Sequence, residues 1–192
     1  MKNFTIIFKN VTLVVAFFLV TNANAQYTQD GPLLYGTGAL TFSLQGYATA
    51  MSGDGNTVIV GGFYDNGIGA VWFYVQDSAG VWTQQGNKFV GSGYVGSTVY
   101  QGWSVAISAD GNTAAIGGYA DSGQIGAVWI AVRSNGVWTQ QGSKLVGTGA
   151  VGTSTQGSSV SLSADGNTVV VGGPGDNGTE GAVWVFTRTA GV

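Results

Sequence analysis

The sequence predicts an all-β fold assembled from repeated four-stranded antiparallel units. Two observations carry that prediction. A unit of about 55 residues is written three times, and inside each copy short apolar runs alternate with Asp-Gly and Gly-Asn pairs. A fixed period of this size marks one supersecondary unit stacked on copies of itself. The copies span residues 27–81, 82–137 and 138–192. They open on YTQDGPLLYGTGAL, WTQQGNKFVGSGYV and WTQQGSKLVGTGAV. Each then carries a version of ISADGNTAAIGG, later a GAVW, and closes on Gly-Val.

The middle copy shows the elements in order. Residues 104–108 form a short apolar run that stops at Ala109-Asp110-Gly111-Asn112. Asp-Gly and Gly-Asn suit tight hairpins because those turns need positive φ. Residues 113–116 return antiparallel and stop at Gly117-Gly118. After a loop, residues 126–132 (GAVWIAV) give a third strand, and Ser134-Asn135-Gly136 turns the chain again. A fourth strand starts at residues 137–141 (VWTQQ) and ends near Val146-Gly147. Four short antiparallel strands per unit is the pattern of a β-propeller blade. Trp72, Trp129 and Trp184 recur at one position, and Tyr27, Trp82 and Trp138 at another. We read these aromatics as packing within and between blades.

The strand sets are offset from the repeats. One begins at Gly46 and is complete by Gly91, and the next runs from Gly102 to Gly147. The set from Gly157 reaches Val192 with three strands. Residues 27–35 carry the remaining strand pattern by themselves, as in rings where the first strand completes the last blade. Propellers usually have about four to eight blades. Three arrangements stay open: a partial propeller from a longer protein, half of a ring completed by a second copy, and a three-sheet prism or open arc. A homodimer through open blade edges belongs to the second.

Residues 1–25 stand apart. Lys2 and Lys9 precede an apolar run at 11–20, and Ala23-Asn24-Ala25 makes a small-x-small cleavage site. This is the layout of a secretory signal peptide. It predicts a secreted or cell-surface protein whose mature part, 26–192, is not inserted in a membrane. The chain has no cysteine, which excludes disulfides and thiol catalysis. It has no histidine, which removes the commonest general base and transition-metal ligand. Beyond residue 25 only Lys88, Arg133, Lys144 and Arg188 are cationic, against nine carboxylates. That balance argues against nucleic acid as a partner.

The segments QGWSVAISADGNTAAIGG with GAVWIAV, and QGSSVSLSADGNTVVVGGP with GAVWVF, resemble FG-GAP repeats. These are the blades of integrin-alpha-like propellers and of many exported bacterial proteins. Gly46, Gly102 and Gly157 match the first glycine of the pattern, with Gln in place of its aromatic. Gly172-Gly173-Pro174 comes nearest to its Gly-Ala-Pro. The resemblance covers 26–192 and implies a propeller used in binding or adhesion. Family members often carry a calcium loop with three aspartates between the first two strands. Here that space holds one carboxylate per copy (Asp54, Asp110, Asp165), too few for the six to eight oxygens calcium takes. No metal site and no cofactor is therefore expected.

The loop after the Gly-Gly strand varies between copies while the strands do not, and variable loops on a rigid scaffold are where binding residues sit. It supplies the candidate ligand-binding residues Tyr64, Asp65, Tyr119, Asp121, Asp176 and Glu180. For the three aspartates two readings compete: an Asx-turn at an Asp-Asn/Ser-Gly sequence, or a ring of carboxylates at one face. Tyr64 and Tyr119 offer rings to a sugar or a partner's side chain. Lys88 and Lys144 recur at one strand position and read as protection of a blade edge.

No catalytic constellation is visible, so the chain reads as a non-enzyme: an exported β-propeller repeat protein that binds an extracellular protein or carbohydrate. Two alternatives stand beside this reading. One is a fragment of a propeller-type polysaccharide hydrolase or lyase. The other is a purely structural repeat of a larger surface protein.

Overall fold

The computed structural model describes residues 26–189, so the expected signal peptide at 1–25 lies outside the described residues. Chain contacts divide the protein at Asp30/Gly31, and every strand belongs to the unit from Gly31 onward. It is all-β with three antiparallel sheets. Sheet 1 contains β1 (Ala48–Met51), β2 (Thr57–Gly62), β3 (Ala70–Gln76) and β4 (Trp82–Gln84). Sheet 2 contains β5 (Ser104–Ile107), β6 (Thr113–Gly118), β7 (Ala127–Ser134) and β8 (Val137–Gln140). Sheet 3 contains β9 (Ser159–Leu162), β10 (Thr168–Gly173) and β11 (Ala182–Thr187). Strands in each sheet lie in chain order, joined by hairpins.

The four-stranded expectation holds for sheets 1 and 2, while sheet 3 has three strands among the described residues. The fourth strands are shorter than expected. After β8 the chain leaves the ladder, and Leu145 returns to pair with Val128 through a single bridge. Residues 27–35 form no strand. Among the described residues no helix is long and apolar enough to cross a membrane.

The first hairpin of each sheet is built by one side chain. Asp110 Oδ1 accepts from Ser108 Oγ (2.5 Å) and from the Asn112 backbone N–H (3.0 Å). Ser108 Oγ accepts in turn from Thr113 N–H (3.0 Å). Asp54 and Asp165 repeat the arrangement with Ser52 and Asn56, and with Ser163 and Asn167. These are Asx-turns, in which the carboxylate replaces a ladder partner where the strand must reverse.

Sheets 1 to 3 stack in sequence. Alternate residues of β6 serve two cores: Ala114 and Ile116 pack with Ile59, Val71 and Phe73 of sheet 1, while Ala115 packs with Val169 and Val171 of sheet 3. All six residues of β6 are therefore buried, which explains an apolar run without polar alternation. β11 has one face covered and reads alternately half-buried and exposed. Close approach of the sheets' ends depends on glycine. A Cβ at Gly117 would lie 2.2 Å from the Gly157 carbonyl oxygen, nearer than any side chain tolerates.

Each sheet is also tied to the segment that precedes it. Trp129 Nε1 donates to Ser92 O (2.8 Å), Trp72 Nε1 to Thr37 O (2.9 Å) and Trp184 Nε1 to Thr148 O (3.0 Å). Buried Gln101 closes the same segment on itself, accepting from Gly91 N–H (2.6 Å) and donating to Gly91 O (2.8 Å). Gln45 and Gln156 do the same for Gly36 and Gly147. The Trp72, Trp129 and Trp184 position is thus a packing position, as expected, with its polar edge satisfied.

Candidate functional site

The β2–β3 and β6–β7 loops lie at the same end of the sheets as the entries to β1 and β5, because strands in each sheet alternate in direction. That end carries six aromatic rings in mutual contact. Tyr47 immediately precedes β1 and Trp103 immediately precedes β5, and their ring centres are 4.7 Å apart. Phe63, just after β2, meets Tyr47 edge-on at 4.5 Å and Trp103 at 4.9 Å. Tyr119, just after β6, meets Trp103 at 4.6 Å and Tyr100 at 5.6 Å. Tyr64 stacks on Tyr100 at 5.9 Å, with planes 23° apart.

Most contacts are edge-to-face or tilted, the arrangement the ring quadrupole favours. The cluster is open to solvent, with Tyr47 49% and Tyr64 45% exposed. Tyr100 reaches it from a left-handed backbone position, φ +64°. A non-glycine residue there carries strain of about 1–3 kcal/mol. Leu44 and Thr155 stand at the matching places with φ +54° and +53°. Burial raises the Tyr119 phenol above its ordinary value, and Tyr100 and Tyr47 add to the shift. It is therefore a neutral donor at neutral pH.

Two depressions flank Tyr119. One, of about 340 Å³, has Trp103 and Tyr119 as its aromatic wall and Thr155, Ser158 and Pro174 opposite. The other, of about 450 Å³, lies between Tyr100, Tyr119 and the loop at Ser97-Thr98. Ser158 and Pro174 occupy in sheet 3 the places that Trp103 and Tyr119 occupy in sheet 2. The aromatic face thus ends in a hydroxyl-bearing margin.

The structure separates the residues singled out in the sequence. Tyr64 and Tyr119 both join the aromatic face. The three aspartates do not form an exposed ring of carboxylates. Asp65, Asp121 and Asp176 are 2%, 0% and 8% exposed and serve the fold. Asp65 Oδ2 accepts from Leu40 N–H (2.9 Å), Asp121 Oδ1 from Val95 N–H (2.8 Å) and Asp176 Oδ1 from Val151 N–H (2.7 Å). Lys88 Nζ pairs with Asp65 at 2.5 Å, and Lys144 pairs with Asp121. Those lysines therefore neutralise buried carboxylates and do not guard an edge. Glu180 is exposed, accepts from Asn177 Nδ2 (2.5 Å) and is not among the six contacting rings, although it lines a depression with Ser158, Pro174 and Thr179, which also border the one beside Trp103 and Tyr119.

Tyr47, Phe63, Tyr100 and Trp103 were not among the candidate residues expected from the sequence. A signal was present: Tyr47 and Trp103 both follow a Gln-Gly pair, and Phe63 and Tyr119 both follow a Gly-Gly pair. Among the described residues no group of three or more acidic, histidine or cysteine side chains could hold a metal ion.

No family model matches the chain, and no curated protein matches it. Solved structures with a similar fold include a candidate 6-phosphogluconolactonase from Bacteroides uniformis, with 16% identity and TM-score 0.49 over 74% of this chain. They also include the periplasmic gluconolactonase PpgL of Pseudomonas aeruginosa, with 17% identity and TM-score 0.46 over 73% of this chain. This chain spans 37% and 38% of their lengths. The likeness is one of fold, and no residue role passes across it. Both proteins nevertheless bear the names of enzymes, which corrects the expectation that this chain is a non-enzyme. The lack of histidine, cysteine and free paired acids in three sheets does not place the protein outside catalysis, since a larger assembly of such sheets can hold an active site.

Proposed function

We propose that the three sheets are blades of a propeller-type protein that acts on polysaccharide, as a hydrolase or lyase, and that the aromatic face from Tyr47 to Tyr119 holds the sugar rings. One observation carries this reading: six contacting aromatic rings sit at one end of the sheets, beside depressions bordered by Ser158, Thr155 and Ser97. The C–H faces of a pyranose suit the negative face of an aromatic ring, and its hydroxyls suit a polar margin. Glycoside cleavage needs a pair of carboxyl groups across the bond. Because Asp65, Asp121 and Asp176 are committed to the fold, such acids would be carboxylates other than these three.

A second reading uses the same face for adhesion to a glycan or protein outside the cell. It is favoured by the signal-peptide-like residues 1–25 and by the resemblance to FG-GAP repeats. The experiment that separates the readings is a screen of soluble polysaccharides that scores retention and release of new reducing or unsaturated ends. Retention that Tyr119→Ala abolishes at unchanged melting temperature supports the sugar-holding face. New ends formed by the protein support cleavage, and retention without them supports adhesion. No retention of any glycan contradicts the sugar-directed reading.

A further inference from the structure

The junction between sheets 1 and 2 shows how a fourth strand is seated. Trp138 of β8 lies flat on Phe73 of sheet 1, ring centres 3.7 Å apart and planes 7° apart. Its Nε1 donates to Gln85 Oε1 (3.0 Å). The Arg133 guanidinium lies 5.3 Å over the same ring and reaches Gln85 Oε1 and Thr57 Oγ1.

The junction between sheets 2 and 3 repeats the polar parts of this seat, without the seated ring and with the aliphatic Ile130 at its floor. Ile130 stands where Phe73 does, and Gln141 where Gln85 does. Arg188 stands where Arg133 does, already donating to Gln141 Oε1 and, at 2.8 Å, to Thr113 Oγ1. Between them runs a groove of about 610 Å³, floored by Ile130, Leu145, Leu162 and Phe186. β11 forms its outer edge and, among the described residues, pairs only with β10.

The sequence holds three aromatic-Thr-Gln segments. Two of them are β4 and β8, and the third is Tyr27-Thr28-Gln29, which forms no strand. Chain direction decides which groove it fits. β4 belongs to sheet 1, whereas the segment after it, Gly91-Ser92, lies under Trp129 of sheet 2. Gly36-Thr37 lies in the same way under Trp72 of sheet 1, so the strand before it belongs to a sheet that precedes sheet 1. The sheets of this chain are stacked on the other flank of sheet 1. The preceding flank instead carries Val58, Val60, Tyr74 and Trp82. The outward flank of sheet 3 carries Val183 and Val185, 65% and 62% exposed. These two apolar flanks continue the sheet-to-sheet interface already seen twice within the chain.

We propose that the groove takes Tyr27–Gln29 of a second copy of this chain as the fourth strand of sheet 3. The exchange is reciprocal, so two chains close on each other. The β7–β8 register, with Val132 opposite Thr139 and Arg133 opposite Trp138, sets the pairing. Thr28 falls opposite Thr187, and Tyr27 falls opposite Arg188 with its ring on Ile130. The Tyr27 hydroxyl brings an O–H donor into the groove where β8 brings the Trp138 N–H.

The chain has no cysteine, so a paired-cysteine test reads cleanly. Directly opposed strand residues have the separation a disulfide requires. Thr28→Cys and Thr187→Cys chains are prepared separately, mixed and mildly oxidised. The expected product is a covalent dimer containing one of each. Untreated wild-type chain is expected at twice the single-chain mass by light scattering, with at least tenfold weaker self-association in Tyr27→Ala. A single-chain mass overturns the proposal. So does an intrachain disulfide in the Thr28→Cys/Thr187→Cys double variant, which would put the chain's own segment in the groove. Should Tyr27→Ala fail to fold, a peptide with the sequence of residues 137–146 is added to wild type. Dissociation of the dimer supports the proposal, and an unaffected dimer overturns it.

Discussion

Trp138 and Phe73 are 65 positions apart in the chain and lie ring on ring, 3.7 Å between centres. This one contact joins the outer strand of sheet 2 to the third strand of sheet 1, and Arg133 covers it from above. Removing the indole leaves a cavity and strips Gln85 of a donor. Because Trp138 is half-buried, Trp138→Ala is expected to lower stability by about 2 kcal/mol, somewhat less than truncation of a fully buried aromatic. Trp138→Phe, which keeps the stack, should lose less than half of that. Urea unfolding followed by circular dichroism measures both.

The aspartates at the start of the β2–β3 and β6–β7 turns are expected to behave as structural residues. Lys144→Met leaves the fully buried Asp121 without its cation and should cost about 3 kcal/mol. The double variant Asp121→Asn/Lys144→Met removes both charges and keeps an acceptor for Val95 N–H. It should recover most of that loss. A double variant no more stable than the single one would mean that the carboxylate is not held by the lysine.

The hairpin aspartates give a pH dependence with a defined sign. Hydrogen bonds from Ser52 and Asn56 hold Asp54 below its ordinary value of 3.8, and those from Ser163 and Asn167 do so for Asp165. At Asp110 partial burial raises the value, but the bonds from Ser108 and Asn112 outweigh it. A carboxyl whose folded value lies below its unfolded one binds fewer protons in the native state. Its contribution is present above the unfolded value and is lost as pH falls through the folded one. Stability should therefore hold from neutral pH to about pH 5 and fall below about pH 4, with a shallower fall in Asp110→Asn. Thermal melts across that range test it.

Tyr74 Oη is buried and has no hydrogen-bond partner among the described residues, and burial raises its pKa. Deleting an unsatisfied buried hydroxyl removes a desolvation cost. Tyr74→Phe is expected to raise stability by about 1 kcal/mol, and a loss of stability in denaturant melts would contradict this.

The sheets were legible because their signals are local and repeated. Asp110-Gly111-Asn112 announces a hairpin, and the paired glycines at Gly61-Gly62 and Gly117-Gly118 mark where strands end. The role of Asp121 was not legible. Its partners, Lys144 and Val95 N–H, lie 23 and 26 positions away, and only the folded chain shows that they surround it. An Asp-Ser-Gly loop reads as exposed, yet burial is set by what folds over it. The aromatic face was half legible for the same reason. Tyr64 and Tyr119 stand in visibly variable loops, whereas Tyr47 and Trp103 sit at strand entries where an aromatic ring is ordinarily core. Nor did the strand pattern of residues 27–35 make a strand, since a β-strand needs an edge to pair with.

Intrinsic fluorescence tests the aromatic face directly. Trp103 is one of six tryptophans and stands in van der Waals contact with Tyr47, Phe63 and Tyr119. Titration with soluble oligosaccharides should give a saturable change in emission. That change should vanish in Trp103→Phe and weaken at least tenfold in Tyr119→Ala, with both variants melting as wild type does. An equal change in Trp103→Phe, or none with any oligosaccharide in wild type, would contradict a sugar-holding role for this face.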